Sequence, residues 1–387
     1  MTMFNKASKF FCTLFFAFSV LSAGAATSLI PAEPQIAAKA YLVIDADTGK
    51  VIAARNENTR FAPASLTKMM TAYILEYELS KGNVGEEDLV LVSEKAWRTQ
   101  GSRMFIREGT QVRLGDLMKG IVIQSGNDAS VAAAEHIAGS EAAFADLMNQ
   151  HARLLGMKNT NFLNATGLPG EGHISSAFDL AVLAKAIIQD FPEHYGMYSE
   201  KYFTYNKIRQ PNRNKLLWRD KTVDGLKTGY TDAAGYCLVA SAKRDGMRLI
   251  SVVLGTKDEE ARARESQKLL SYAFRYYRTH KLYENDVVLN TAKVWSGTRD
   301  QLRMGVTESL SVTIPRGQAD KLQATMDIDR VITAPIAKGQ ELGKVRVTLE
   351  GELVTEVPLV SMDAIPEAGL LKRIWHAILL FFTSLIG

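Results

Sequence analysis

The sequence predicts an α+β domain followed by a small all-β domain. Three observations carry this expectation. Strand-like runs near residue 41 and again between 236 and 254 enclose a long helical stretch, so sequence-distant strands must complete one sheet. From about Leu282 the texture changes to short alternating runs separated by turns. The chain has 387 residues, 47% of them hydrophobic and 23% charged, which is ordinary globular composition with length for more than one core.

The elements follow in order. Residues 1–26 read as a secretory signal: Lys6 and Lys9 precede the apolar run Phe10 to Leu21, and Ser22 to Ala26 supply small residues for cleavage. Residues 27–39, with Pro31 and Pro34, read as an irregular linker. Tyr41 to Asp45, Asp47-Thr-Gly49 and Val51 to Ala54 form a hairpin pattern. Ser65 to Leu79 is a helix introduced by Pro63 and ended by Gly82. Leu114 to Ala138 is a largely apolar helical stretch interrupted at Gln124-Ser-Gly-Asn127, and Glu141 to Leu155 is a further helix stopped by Gly156. Asp245-Gly246 joins the apolar strands Tyr236 to Ala242 and Met247 to Leu254. Glu259 to Tyr277 is a long helix. In the second domain Ser311 to Ile314, Val345 to Leu349 and Leu353 to Val360 read as strands. The domain boundaries expected are 36–281 for the first, 282–362 for the second and 366–387 for a terminal helix.

In that last helix Leu371, Ile374, Trp375, Ile378, Phe382 and Leu385 recur at three- and four-residue steps and share one face. Lys372, Arg373, His376 and Thr383 fall largely elsewhere. The apolar run after His376 is too short to span a bilayer. A basic helix with Trp and Phe suits the membrane interface, with its cations near anionic headgroups. The alternative is a terminal helix docked on its own domain.

Charge and composition exclude several chemistries. Lysine plus arginine number 46 against 42 acids, and removing residues 1–26 takes away two lysines and no acid, so 44 minus 42 leaves +2. That is no nucleic-acid footprint. Of the two cysteines, Cys12 leaves with the signal and Cys237 remains, so no internal disulfide is expected. Six scattered histidines without a His-Glu-x-x-His pattern leave nothing for a zinc peptidase, and neither metal nor cofactor is expected.

Three short motifs can do chemistry. In Ser65-Leu-Thr-Lys68 the two polar side chains lie on one helical face. A serine hydroxyl needs a neighbouring base, and lysine serves only if burial and nearby cations lower its pKa from ~10.4 toward neutrality. Backbone N–H groups at the helix start can hold an oxyanion. Ser125-Gly-Asn127 sits in the break between apolar helical segments and should face a cavity, since a buried polar loop without partners is costly. Ser125 can relay a proton, and Asn127 can donate to and accept from a peptide. Its bland alternative is a cap or Asx-turn. Lys227-Thr-Gly229 offers a charge, a hydroxyl and a glycine that lets a substrate backbone approach a strand edge, or else it is an ordinary turn. Singly each is weak. Their order, with spacings of 60 and 102 residues, is specific.

On these residues the sequence resembles the low-molecular-mass penicillin-binding proteins, specifically the exported D-alanyl-D-alanine carboxypeptidases with a C-terminal amphipathic anchor. Pro63-Ala-Ser-Leu-Thr-Lys-Met-Met70, Gln124-Ser-Gly-Asn-Asp128, Asn212-Arg-Asn214, Val223-Asp-Gly225 and Lys227-Thr-Gly-Tyr-Thr-Asp232 all look like that family, and the likeness covers essentially the whole mature chain. It implies a penicillin-recognising, β-lactamase-like α/β/α sandwich with an antiparallel sheet, plus the β domain. It implies Ser65 as the acylated nucleophile, Lys68 as its base, and Ser125 and Asn127 as proton relay and positioning groups. Lys227, Thr228 and Gly229 would hold the substrate's carboxylate end, with Arg213 and Arg262 serving its charge, although a surface ion pair is the alternative for either arginine. The backbone N–H groups of Ser65 and Tyr230 would form the oxyanion hole. The implied partners are peptidoglycan stem peptides, β-lactams as inhibitors, and the periplasmic face of the bacterial inner membrane.

Two departures stand out. Position 230 is tyrosine where relatives often carry histidine. Gly126 stands where class A β-lactamases have aspartate, and the loop Asn164 to Ser176 lacks a Glu-x-x-x-Asn pattern although it contains Glu171, so efficient β-lactam hydrolysis is not expected. The other readings are a DD-endopeptidase or weak β-lactamase on the same scaffold, or a muropeptide-binding protein with poor turnover.

Overall fold

In the first domain the strand Ala40–Asp45 (β1) is buried at every position. Its side chains alternate between two cores, as a period of two requires. Leu42 and Ile44 join one hydrophobic cluster, whereas Tyr41 and Val43 join another on the opposite face. The computed structural model describes residues 30–386, with side chains as far as Thr383. The expected export signal lies outside the described residues.

Val51–Arg55 (β2) folds back on β1, and the sheet is completed by Val223–Thr231 (β3), Gly235–Arg244 (β4) and Met247–Thr256 (β5) in the order β2-β1-β5-β4-β3. β1 pairs antiparallel with β5, Ala40 opposite Leu254 and Asp45 opposite Leu249. The expected closure by sequence-distant strands is thus observed. Helices cover both faces. Glu259–Tyr276 (α5) packs Ala263, Leu269, Leu270 and Ala273 against Tyr41, Val43, Leu238 and Val253. On the other face lie Lys68–Ser80 (α1) and Ala177–Asp190 (α4).

A third cluster sits under the site, where Met104, Leu117 and Ile121 pack with Ala129, Val131 and Ala132 of Asn127–Ala138 (α2). Glu141–Leu154 (α3) follows, opened by the Ser140 hydroxyl accepting from Ala143 N. The α4 helix has no counterpart among the expected elements. Its Ser176 cap, whose hydroxyl accepts from Asp179 N, was a readable start signal, but a helix buried on most sides carries little amphipathic rhythm.

Two expected helices differ in detail. Ser65 lies in a 3₁₀ turn, Ala64–Thr67, that leads into α1. The 114–138 stretch is an α-helical turn, a π-helical segment Gly120–Gln124, and then α2.

Tyr277–Tyr283 (β6) straddles the expected boundary at 281/282 and pairs with Leu310–Pro315 (β9) of the second domain. There Asn290–Trp295 (β7), Gln301–Gly305 (β8), Leu322–Ile328 (β10), Ile332–Thr333 (β11), Glu341–Leu349 (β12) and Glu352–Ser361 (β13) form a sheet in the order β10-β12-β13-β8-β7-β11. Thr279 Oγ1 donates to the buried Asp45 carboxylate at 2.5 Å, and Thr313 Oγ1 lies 2.7 Å from Thr48 Oγ1, which ties the two domains at the end of β1.

Leu370–Ile386 (α6) is the terminal helix. Its polar side meets the β domain: Lys372 pairs with Asp300 at 2.7 Å, and His376 Nδ1 accepts from Ser296 N at 2.8 Å beside Trp295. Leu371, Ile374, Trp375, Ile378, Phe381 and Phe382 are exposed. The sequence placed the Lys372-Arg373 cations at headgroups. Here both have carboxylate partners, Arg373 pairing with Glu367 at 2.6 Å. No described helix is long and apolar enough to cross a membrane.

Candidate active site

In a 3₁₀ turn, residues three apart eclipse one another, so Ser65 and Lys68 emerge on the same side. Lys68 Nζ lies 3.3 Å from Ser65 Oγ, and also donates to Asn127 Oδ1 at 2.6 Å and to the Thr166 carbonyl at 2.5 Å. Those two oxygens can only accept. When the amine is neutral they take both of its protons and leave its lone pair facing the serine hydroxyl. Lys68 is 1% exposed, and burial together with the Arg213 charge lowers its pKa to about 7. The expected base is therefore half deprotonated near neutrality.

Ser125 ends the π-helical segment in the left-handed region, φ +62°, where a non-glycine residue is uncommon. Its hydroxyl accepts from Lys227 Nζ at 2.8 Å, and that lysine also donates to the Thr228 carbonyl at 3.0 Å. Lys227 is buried, and desolvation plus the neighbouring Lys68 charge pushes its pKa well below the usual lysine value. The three motifs, spread over more than 160 residues of sequence, therefore meet at one point. The cap or turn readings do not describe them.

Asn127 opens α2 and is held from three sides. Its backbone N–H donates to Ser102 O at 2.7 Å, its amide N–H to Gln100 O at 2.5 Å, and its amide oxygen takes the Lys68 bond. Gly101, at φ +94°, runs so close that an added Cβ would sit 2.6 Å from Asn127 Nδ2.

Strand β3 is an edge strand, so its outer backbone groups face the cleft. Gly229 has a reason other than substrate approach. A Cβ there would lie 3.2 Å from Leu66 Cγ and Pro63 O and 3.3 Å from Ala64 Cβ, so the glycine lets β3 close on the turn that carries Ser65.

The cleft, about 160 Å³, is lined by Ser65, Ser125, Arg213, Thr228, Gly229, Tyr230 and Arg262, together with Ser102, Tyr236 and Glu259. Arg213 is exposed at its rim, and no carboxylate pairs with it among the described residues. Arg262 is 4% exposed, donates to Gly229 O at 3.3 Å and lies 5.5 Å from the Tyr236 ring centroid. Among the described residues its one carboxylate partner is Glu259 at 3.9 Å, which also lines the cleft. Tyr230 is half-exposed, packs on Tyr236 with centroids 4.3 Å apart and donates to Asp232 at 2.7 Å.

Sequence reading missed several supports. Asp128, quoted only as part of a motif, accepts from Met104 N, Phe105 N, Ile106 N and Ala129 N and so holds the loop that frames Asn127. The Thr166 carbonyl carries no residue-type signal at all. Gly167, at φ +82°, lies so close to the turn that an added Cβ would sit 1.9 Å from Ala64 O. Among the described residues no group of His, Cys, Asp and Glu could hold a metal ion.

Comparison with known proteins follows the same division. A family model for D-alanyl-D-alanine carboxypeptidase matches residues 27–258, and one for the C-terminal domain of penicillin-binding protein 5 matches residues 277–367. The chain is 44% identical over 362 residues to the D-alanyl-D-alanine carboxypeptidase DacC of Escherichia coli strain K12, covering 92% of this chain and 90% of that protein. It is 42% identical to DacA of the same organism, covering 93% and 91%. The crystal structure of penicillin-binding protein 5 from Haemophilus influenzae superposes with a TM-score of 0.84 at 42% identity, over 87% of this chain and all of that one. Penicillin-binding protein D2 of Listeria monocytogenes in its ampicillin-bound form superposes with a TM-score of 0.58 at 29% identity, over 63% of this chain and all of that one.

Proposed function

The chain belongs to the D-alanyl-D-alanine carboxypeptidase family of penicillin-binding proteins, and from that premise we propose that it removes the terminal D-alanine from peptidoglycan stem pentapeptides through an acyl-enzyme on Ser65. One observation carries the residue assignment. Lys68 Nζ is held by Asn127 Oδ1 and Thr166 O so that its third direction faces Ser65 Oγ at 3.3 Å.

In this reading the terminal carboxylate enters the cleft between Arg213 and Arg262, beside Thr228, with Lys227 buried against Ser125. Neutral Lys68 takes the Ser65 proton as Oγ bonds to the penultimate D-alanine carbonyl carbon. The oxyanion is held by the N–H groups of Ser65 and Tyr230. The peptide C–N bond then breaks, and the leaving amine takes its proton from the Ser125 hydroxyl, which Lys227 re-protonates. The proton held by Lys68 passes to Lys227, so that Lys68 is neutral again; it then deprotonates the water that attacks the ester, and as the ester C–O bond breaks and the shortened peptide leaves, Lys68 returns that proton to Ser65 Oγ. A β-lactam would enter the same path and stay longer as the acyl-enzyme. The loop after α3 offers Lys68 a carbonyl, that of Thr166, and Glu171 is exposed rather than set beside Ser65. The test is a pair of measurements on wild type and Ser65→Ala: fluorescent penicillin labelling, and D-alanine release from a D-Ala-D-Ala peptide. Both activities should vanish in the variant, and residual D-alanine release would remove Ser65 from the mechanism.

For location, the reading is an exported enzyme held on the periplasmic face of the inner membrane by α6, whose exposed apolar face supports it. Truncation after Pro366 should release the protein from anionic vesicles while leaving kcat/KM on a soluble peptide within about twofold. A truncated protein that still sediments with vesicles would refute the anchor.

A further inference from the structure

A second groove, of about 220 Å³, is lined by Trp97, Arg103, Phe105, Arg107, Asn206 and Ile208, with the buried Ile106 at its base. It begins where the catalytic cleft ends. Ser102, whose carbonyl accepts from Asn127 N, lines the cleft, and Arg103, the next residue, lines the groove. Asp128 grips three successive N–H groups here, those of Met104, Phe105 and Ile106. Met104 and Ile106 turn into the core, whereas Phe105, at φ +71°, is left 47% exposed. A bulky residue seldom adopts the left-handed region, so the fold holds this ring outward against its backbone preference. The facing wall is the hairpin of Tyr202–Tyr205 and Ile208–Pro211, turned by Asn206 and Lys207 at φ +45° and +62°. Gln210 Nε2 donates to Arg103 O at 3.1 Å and so ties the hairpin to the loop.

The charges of the groove are unmatched. Arg103 engages only its Nε, on Thr99 O at 3.0 Å, and the Arg107 side chain has no partner. Among the described residues no carboxylate pairs with either arginine, and no acidic residue lines the groove. Two unpaired guanidinium groups select carboxylates, and the exposed Trp97 and Phe105 rings select apolar groups beside them. A peptide in which carboxylates alternate with methyl side chains meets both demands. We propose that this groove holds a second, carboxylate-bearing stem peptide of the peptidoglycan polymer while a first occupies the cleft, so that the enzyme grips the polymer at two points. The inference rests on the carboxypeptidase reading above, which supplies the polymer.

The test uses the full chain acylated by penicillin, so that the cleft is filled and only a second site can bind. Its probes are soluble, uncross-linked glycan chains that carry stem peptides, and the same chains with the stems removed enzymatically. Wild type should bind the stem-bearing chains and not the stripped ones. Arg107→Glu should bind about fivefold more weakly and Trp97→Ala about threefold more weakly. Both variants should take the penicillin label at the wild-type rate, which reports an intact fold and cleft. The deficit of Arg107→Glu should close at high salt, because exposed charges are screened, and that of Trp97→Ala should persist. Equal binding to stripped chains would make the groove a saccharide site, and a loss confined to anionic vesicles would make it a lipid site. Either result overturns the proposal, as does wild-type affinity in both variants, and each leaves the carboxypeptidase reading intact. Absence of penicillin labelling together with absence of binding overturns both.

Discussion

Replacing Asn127 by aspartate probes the base directly, because it places a negative charge beside the amine that must be neutral. Asn127 Oδ1 lies 2.6 Å from Lys68 Nζ. A carboxylate there attracts the ammonium form by about 6 kcal/mol at an effective dielectric near 20. The new carboxylate is itself desolvated, and its second oxygen faces Gln100 O, which the amide N–H had met at 2.5 Å. Retaining about half of the attraction leaves ~3 kcal/mol, a rise of roughly two pKa units. Since Lys68 is at about 7 in the native site and acts as a base only when neutral, acylation of the wild type should rise with pH through about 7 and level off. In Asn127→Asp the same limb should move to about 9, so that the rate at pH 7 falls roughly fiftyfold and recovers in alkali. The assay is the second-order rate of fluorescent penicillin acylation from pH 5.5 to 10, with Asn127→Ala as the control that loses positioning without adding charge. An unmoved limb, or a loss equal at every pH, would show that the Lys68 amine is not the titrating base.

Two further outcomes follow from buried carboxylates. Asp128→Asn must place an amide NH₂ against two backbone N–H donors whichever way it turns, since Oδ1 serves Met104 and Ala129 while Oδ2 serves Phe105 and Ile106. The cost should be about 3 kcal/mol, read as a loss of hydrogen-exchange protection at the 104–106 amides, and unchanged protection there would contradict the loop account. Glu76, 1% exposed, has its pKa raised by burial from the usual carboxylate value to about 7. The folded state therefore binds this proton more tightly than the unfolded chain. Stability contributed here is complete below about pH 4.5 and is lost as pH rises toward 7, by about 3 kcal/mol. Urea unfolding of Glu76→Gln should show a shallower decline between pH 5 and 8 than wild type, and parallel curves would count against the assignment.

Much of the site was legible because its chemistry is written in side-chain types at short spacings. Ser65 and Lys68 are three apart in one helical start, and the polar break at Ser125-Gly-Asn127 contrasts with apolar neighbours. The helix α4 was not legible, since burial on most sides erases the periodicity that marks a surface helix. Backbone contributions were equally silent. The Thr166 carbonyl that holds Lys68 could belong to any residue, and Asp128 shows its importance only once the 104–106 amides are seen to converge on it. Gly229 was noticed as room for a substrate backbone, and the sequence cannot show that the Pro63–Leu66 turn also packs against it.

The terminal helix divides in the same way. Its amphipathic pattern is a property of spacing alone, but which residues meet the β domain depends on partners such as Asp300 and Ser296, distant in sequence. By itself the sequence determined most of the element order, the likeness to a family and which side chains are candidates for the chemistry, all of which are read from local spacing. Only the tertiary structure decided their state. Lys68 can serve as a base because burial beside Arg213 removes the solvation its charge requires, and Lys227 reaches Ser125 because an edge strand is packed against a helix end 102 residues away. Desolvation and long-range proximity are properties of the folded whole, and no stretch of residues contains them.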